Sequence, residues 1–148
     1  MTIKKHNQRG ASLVEFSIAA TVFLMAMFAV IEFGRVLWTH NALADAARKG
    51  ARYAVVNEEA DIADVKRVVV YGNPAGGTAP VVSNLTTDNV EVNYAGFGLD
   101  VGTVQVTIKD YDFKFSVPLV SKKISMPKYT TTLTGESAGT LPDPIAGL

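Results

Sequence analysis

The most constraining feature of this sequence is an uncharged run, FSIAATVFLMAMFAVI, between Glu15 and Glu32. A bilayer core of about 30 Å requires about 20 apolar helical residues, each rising roughly 1.5 Å, and Ala11–Val14 extend the apolar run at its N-terminal end. The run is apolar on every side, whereas a helix in a soluble core usually keeps a polar stripe. We therefore predict a transmembrane helix over residues 11–33, with Glu15 inside the span or near its edge.

Basic residues precede the span and predict its orientation. Lys4, Lys5 and Arg9 lie within the first ten residues, which contain no acid. Positive charge within about 15 residues of a membrane segment tends to stay cytoplasmic. Residues 1–10 are thus predicted to be a cytoplasmic leader, and the chain after about Gly34 is predicted to be extracytoplasmic.

An ordinary secretory signal peptide is an alternative interpretation of the N-terminus. Ala42-Leu43-Ala44 has the small-x-small form of a cleavage site. Such sites follow closely behind the apolar region, and here an amphipathic stretch intervenes. This spacing favours a retained membrane helix.

Composition excludes several classes of function. The formal net charge is zero, and without the basic leader the chain is more acidic than basic, which gives no basic surface for nucleic acid. The chain has no cysteine and only two histidines, His6 and His40. No spacing of nucleophile, base and acid stands out, and no cofactor fingerprint is present. We therefore expect no enzyme activity, no cofactor, no metal and no small-molecule substrate.

A second candidate cleavage point lies before the apolar run, between Gly10 and Ala11. Glu15 follows five residues after the glycine, and an acid next to hydrocarbon is costly and marks a candidate functional site. Cleavage there would create an α-ammonium at Ala11, and Glu15 could neutralise that charge on its own chain or on a neighbour. The alternative is that Glu15 lies among the lipid headgroups without a role.

These residues resemble the processing motif of type IV prepilins, and the continuation resembles the TadE-like family of tight-adherence (Flp-type) pilus systems. The resemblance covers roughly residues 8–56. It rests on Arg9-Gly10, Glu15-Phe16, Ile31-Glu32-Phe33-Gly34-Arg35, Trp38, Asn41-Ala42-Leu43, Ala46-Ala47-Arg48 and Gly50-Ala51-Arg52-Tyr53-Ala54.

The resemblance implies a pseudopilin in the inner membrane of a bacterium. A prepilin peptidase would cut between Gly10 and Ala11, and Glu15 with Phe16 would set the axial register of the assembled subunits. The helices of other pilin or pseudopilin subunits would be its partners. The residues expected to pack against those helices are Leu24, Phe28, Glu32, Phe33, Gly34 and Arg35. Because major pilins of these systems are short and almost wholly helical, a chain with a sizeable head fits a minor subunit.

The pattern beyond the membrane predicts an α+β, pilin-like head over residues 34–137. Apolar residues at 3.6-residue spacing continue the first helix to about Val56. Gly34 and Gly50 interrupt it at a cost of about 1 kcal/mol each, which suggests close helix contact or flexibility. Asn57 is the expected N-cap of a short second helix, with Glu58, Glu59 and Asp61 in its first turn, ending at Tyr71-Gly72.

Alternating residues then predict three or four mostly antiparallel strands packed on the outer half of the long helix. The phase of alternation slips near Lys109-Asp110, which indicates either a bulge or two separate strands. Pro127 interrupts a further strand pair. Residues 138–148 are small and proline-containing and are predicted to be a flexible tail.

Two functions are consistent with these features. The first is a minor pseudopilin that is cleaved after Gly10 and assembles through its apolar helix. The second is an uncleaved, single-pass membrane protein that carries a binding or scaffold domain.

Overall fold

The computed structural model describes residues 9–57, 61–96, 102–116 and 123–135. Residues 1–8 of the predicted leader and the predicted tail at 138–148 lie outside this range. So do Glu58 and Glu59.

A single continuous helix forms the axis of the structure. Helix α1 comprises Arg9–Val56, 48 residues, which corresponds to about 70 Å at 1.5 Å per residue. Proline is absent from this segment, so the backbone hydrogen bonds run unbroken. The hydroxyls of Ser17 and Thr21 donate to the carbonyls of Leu13 and Ser17, each at 2.8 Å. These hydroxyls are therefore satisfied within the helix, as hydrocarbon surroundings would require.

The second helix, α2, comprises Ile62–Tyr71 and is capped at both ends. The Asp61 carboxylate accepts a hydrogen bond from the Ala63 amide at 3.1 Å, and Gly72 closes the C-terminus with φ of 73°. The prediction that Asn57 is the N-cap of α2 is wrong. Its side-chain amide instead donates to the Tyr53 carbonyl at 3.0 Å, so Asn57 finishes α1 and Asp61 begins α2.

Five short strands form two antiparallel sheets. Strands β1 (Val90–Ala95), β2 (Thr103–Ile108) and β5 (Tyr129–Thr134) form a three-stranded sheet in the order β1-β2-β5. Strands β3 (Asp112–Lys114) and β4 (Lys123–Ser125) form a separate two-stranded ribbon. The predicted α+β class, with helices first and antiparallel strands after, is confirmed.

The phase slip near Lys109 separates two strands and is not a bulge. Strand β2 ends at Ile108, and Asp110 adopts a left-handed conformation with φ of 54°. This turn directs β3 away from the three-stranded sheet and into the ribbon. Pro127 lies between β4 and β5. It separates the last strand of the ribbon from the last strand of the three-stranded sheet.

The core lies between the outer half of α1, helix α2 and the inner face of the three-stranded sheet. Small residues on α1 allow this close packing: Ala46, Ala47, Gly50, Ala51 and Ala54 are all buried. Strand β2 supplies the matching face, with Val104, Val106 and Ile108 fully buried. The predicted burial of alternate strand residues against the long helix is therefore confirmed.

At Gly50, helix α1 approaches α2 closely. A Cβ atom at this position would overlap Cγ2 of Val69 on α2. Gly34, in contrast, has nothing within 4 Å of the corresponding position. Of the two explanations considered for these glycines, close contact accounts for Gly50.

Gly50→Ala is therefore predicted to destabilise the head. Overpacking against a stiff, β-branched valine costs about 1–3 kcal/mol, while alanine recovers about 1 kcal/mol of helix propensity. We expect a net loss of about 1 kcal/mol in the free energy of unfolding, measured by chemical denaturation of the full chain in detergent micelles.

Gly34→Ala is the matched control, since it makes the same change on the same helix in open space. It is expected to be neutral or stabilising. Adding Val69→Ala to Gly50→Ala makes room for the new methyl group, so the two changes together should cost less than the sum of each alone. Equal effects at the two glycines would contradict the close approach.

Candidate functional site

The N-terminal half of α1 presents apolar side chains on every side. Large residues from Leu13 to Phe33 are exposed, including Phe16 at 71 %, Leu24 at 46 % and Phe28 at 45 %. The most apolar 18-residue window has a mean hydropathy of 2.2, and none of it is buried against the rest of the described chain. The helix is thus long and apolar enough to anchor the chain in a membrane.

The predicted processing and register residues lie in the first turns of this exposed half. Gly10, Ala11, Glu15 and Phe16 are all helical and exposed. Glu15 forms no ion pair with any other side chain that the structure describes. The arrangement leaves its carboxylate accessible to a neighbouring molecule.

Glu32, at the end of the apolar run, has a different environment. It is buried, with 7 % of its surface exposed, and both of its carboxylate oxygens accept from Nη1 of Arg35 at 2.7 Å. The backbone amide of Ser116, just beyond β3, donates to Oε1 of Glu32 at 3.0 Å. A carboxylate that would be costly in isolation is therefore satisfied by one helical neighbour and one amide from the head.

Arg35 connects the same point of the helix to the two-stranded ribbon. Its guanidinium lies 5.3 Å from the centroid of the Phe113 ring, within the range of a cation–π interaction. Phe113 in turn meets Phe115 edge-on, with 5.4 Å between ring centroids. Glu32, Arg35, Phe113 and Ser116 together fasten β3 to α1, and we call them the basal clasp.

A second polar contact joins α1 to the sheet about two turns further along. The Nδ1 atom of His40 and the hydroxyl of Tyr129 are 2.8 Å apart, and their rings pack edge-to-face with 5.2 Å between centroids. Burial raises the pKa of the Tyr129 hydroxyl. The clasp at Glu32, this pair at His40 and the close approach at Gly50 follow one another along α1, so the head is attached to the helix at three heights.

The structure thus divides the predicted packing residues into two groups. Leu24, Phe28, Phe33 and Gly34 are exposed and free to contact other helices. Glu32 and Arg35 are engaged with the head of their own chain. Sequence reasoning missed this engagement, because nothing in the local pattern identifies the amide of Ser116, 84 residues away, as a partner of Glu32.

The described residues offer little for catalysis or metal binding. They contain no cluster of three or more His, Asp or Glu side chains that could hold a metal ion. Asp110 and Asp112 are exposed at the start of the ribbon.

Comparison with known proteins agrees with the resemblance seen in the N-terminal segment. A family model described as TadE-like protein matches residues 10–52, as the sequence predicted. The match covers α1 almost to its end and none of the sheet. The family is one of pilus components and not of enzymes. No curated protein and no solved structure matches the chain.

Glu32→Ala is predicted to loosen the basal clasp. The change leaves the Arg35 guanidinium and the Ser116 amide without their acceptor, at a cost of about 1–3 kcal/mol. Amide hydrogen exchange at Ser116 should accelerate in the full chain, while exchange in β2 changes less. Glu32→Gln keeps a side-chain oxygen and should have a smaller effect.

Asp45→Ala is the control for this prediction. It removes a carboxylate from an ion pair with Lys49 that is exposed on both sides, and such pairs contribute about 0.3–0.5 kcal/mol. Unchanged exchange at Ser116 in Glu32→Ala would show that the clasp does not hold the ribbon.

Proposed function

We propose that this chain, whose residues 10–52 match the TadE-like family, is a minor pseudopilin of a tight-adherence pilus system. The observation that carries the proposal is an apolar half-helix, exposed on all sides, that continues without a break into a folded head. Such a helix requires lipid or other helices around it, and a TadE-like segment favours an assembly of related helices.

In this proposal the chain spans the bacterial inner membrane once. Lys4, Lys5 and Arg9 hold the N-terminus in the cytoplasm, and the head lies outside. A prepilin peptidase cuts between Gly10 and Ala11 and removes that basic leader. The processed helix then begins at the α-ammonium of Ala11.

Glu15 supplies the charge that the new terminus needs. It lies four residues after Ala11, about one helical turn, and its carboxylate has no partner among the described side chains. Pairing with the α-ammonium of an adjacent subunit satisfies both charges in a medium of low dielectric constant. Because the pair requires one axial offset between neighbours, it sets their register.

Shape and packing supply the rest of the assembly energy. Lipid tails are as apolar as leucine, so helices in a bilayer associate through close packing and not through the hydrophobic effect. Small residues such as Ala20, Ala26 and Gly34 permit that approach, while Leu24 and Phe28 fill the space between helices. Once a subunit leaves the bilayer, these side chains must be covered by other subunits or face water.

The presence of a folded head supports the interpretation of this chain as a minor subunit. Two helices and two small sheets follow the apolar segment, and a filament built only for length has no need of them. A head of this size, fastened to the helix at three heights, is suited to starting or ending an assembly or to contacting other components of the machine.

The processing step predicts a defined N-terminus. In cells that contain the matching prepilin peptidase, intact-mass measurement of the membrane-purified protein should find a chain that begins at Ala11. Gly10→Val, which adds a branched side chain at the cleaved bond, should yield the uncut chain. A wild-type protein that still begins at Met1 or Thr2 would support the uncleaved scaffold domain instead.

The register role predicts a separate phenotype for Glu15→Ala. This variant should be cut normally, because the scissile bond is unchanged, yet incorporation into pilus assemblies should fall at least tenfold. Incorporation is measured as the ratio of sheared to membrane-bound protein. Ser17→Ala, at a nearby exposed position, serves as control. Normal assembly of Glu15→Ala would remove the pairing role and leave the processing step standing.

A further inference from the structure

A groove of about 150 Å³ lies beside the basal clasp, between α1, the two-stranded ribbon and the loop after α2. Its α1 wall contains Arg35 and Trp38, which are three residues apart and so share a helix face. Its other walls contain Asn84 and Lys114. The hydroxyl of Tyr111 donates to the Ser83 carbonyl at 2.8 Å, which holds the loop against β3. The walls of the groove are therefore held in place by backbone elements that contact one another.

The groove lies at the level where lipid headgroups are expected. Arg35 follows the last residue of the uncharged run, Ile31, by four positions, about 6 Å along the helix axis. The headgroup region adds about 5–7 Å on each side of a 30 Å hydrocarbon core. Arg35 and Lys114 are thus placed among headgroups whenever the apolar run fills the hydrocarbon.

The ribbon presents an excess of positive charge at this level. Lys114 of β3 and Lys123 of β4 are direct cross-strand partners, so their side chains project from the same face. Both are exposed, and neither forms an ion pair with another described side chain. Asp112 lies on the same face, so two ammonium groups face one carboxylate. Like charges directly opposite each other destabilise a sheet, unless an external anion lies between them.

Trp38 completes the chemistry of the site. Its indole is 61 % exposed, and it is the only tryptophan in the chain. Tryptophan is enriched at the membrane–water interface, where an apolar ring meets a polar edge. Arg35, Trp38, Asn84 and Lys114 all line this one groove, and cationic, amide and indole groups together suit the phosphate of a lipid headgroup.

We propose that this groove binds the headgroup of an anionic phospholipid, through Lys114 and the N–H groups of Arg35 that do not bind Glu32, with Trp38 beside the headgroup. Lys123 lies next to the site and strengthens its field. The inference rests on the membrane anchoring in the proposed function, and it concerns the orientation of the head. A headgroup bound here holds the ribbon side of the head down on the bilayer surface while the chain waits in the membrane.

An acidic segment of a partner protein is the competing occupant. It would satisfy the same ammonium groups. The depth of the groove along α1 and the exposed indole favour lipid, because a soluble acidic peptide gains nothing from contact at the headgroup level. The two occupants give different outcomes in the experiment below.

Trp38 fluorescence provides the test. The full chain is reconstituted in phosphatidylcholine nanodiscs that contain increasing fractions of phosphatidylglycerol. We expect the emission maximum to move to shorter wavelength and to saturate. Lys114→Gln should raise the fraction of phosphatidylglycerol needed for half of the change about fivefold, as expected for the loss of one cationic contact at an anionic surface. Lys114→Arg should retain the wild-type response.

Lys128→Gln is the charge-matched control. Lys128 is exposed, acts on Glu91 of the three-stranded sheet and does not line the groove, so this variant should respond as wild type does. An equal response in Lys114→Gln and Lys128→Gln would overturn the site, as would a full response to inorganic phosphate or to a glutamate-rich peptide in neutral nanodiscs. Resistance to alkaline carbonate extraction tests the anchor separately. A chain that stays in the membrane but shows no lipid response loses only this inference.

Discussion

The contact on which the structure depends is the one between Glu32, Arg35 and the amide of Ser116. It lies where α1 changes from apolar on all sides to apolar on one side. A carboxylate at that point requires partners, and one of the two partners is the backbone of the head. The need to satisfy one acid at the end of the apolar run therefore helps to fix the position of the head along the helix.

The helix performs different tasks above and below this contact. On the N-terminal side of it, large apolar side chains such as Phe16 and Phe28 are exposed and have no packing partner in the described part of the chain. Above it, Ala47, Gly50 and Ala51 are buried and bring α2 and the sheet close to the helix axis. Large side chains lie where the packing partners would be other molecules, and small side chains lie where the partners belong to the same chain. One continuous helix therefore couples whatever packs around its first half to the orientation of the head.

Local patterns in the sequence predicted the elements well, and long-range contacts account for what they missed. The exposed apolar run, the second helix and the alternating strands follow from periodicity, which depends only on neighbours in the chain. Gly34 and Gly50 carry the same local signal, yet only Gly50 meets another helix. Similarly, Asn57 and Asp61 are both good N-caps, and the choice between them depended on where α1 stopped.

The slip in alternation near Asp110 shows how much a local pattern can decide. The slip excluded one straight strand. It did not distinguish a bulge from two separate strands, because either one moves the apolar side chains to the opposite face of the sheet. The left-handed Asp110 resolves it by sending β3 to a ribbon of its own. That ribbon contributes Phe113 to the clasp and Lys114 to the groove, so both features depend on a turn whose direction the sequence pattern did not predict.

The clasp also limits how neighbouring helices can approach beyond the membrane. Successive residues of a helix are rotated by about 100°, so with the head covering the side of Glu32 and Arg35, the open arc carries Phe33, Gly34 and Leu37. All three are exposed, and a Cβ at Gly34 would meet no atom within 4 Å. In the proposed assembly, helix packing in the bilayer could therefore continue one turn past Glu32 on this arc without displacing the head. Trp38 lies at its edge, where a packed neighbour and a lipid headgroup would compete for the same space. In the proposed assembly, a subunit that packs on that side would release the proposed lipid, so a head held to the membrane and a head built into a helix bundle would exclude each other.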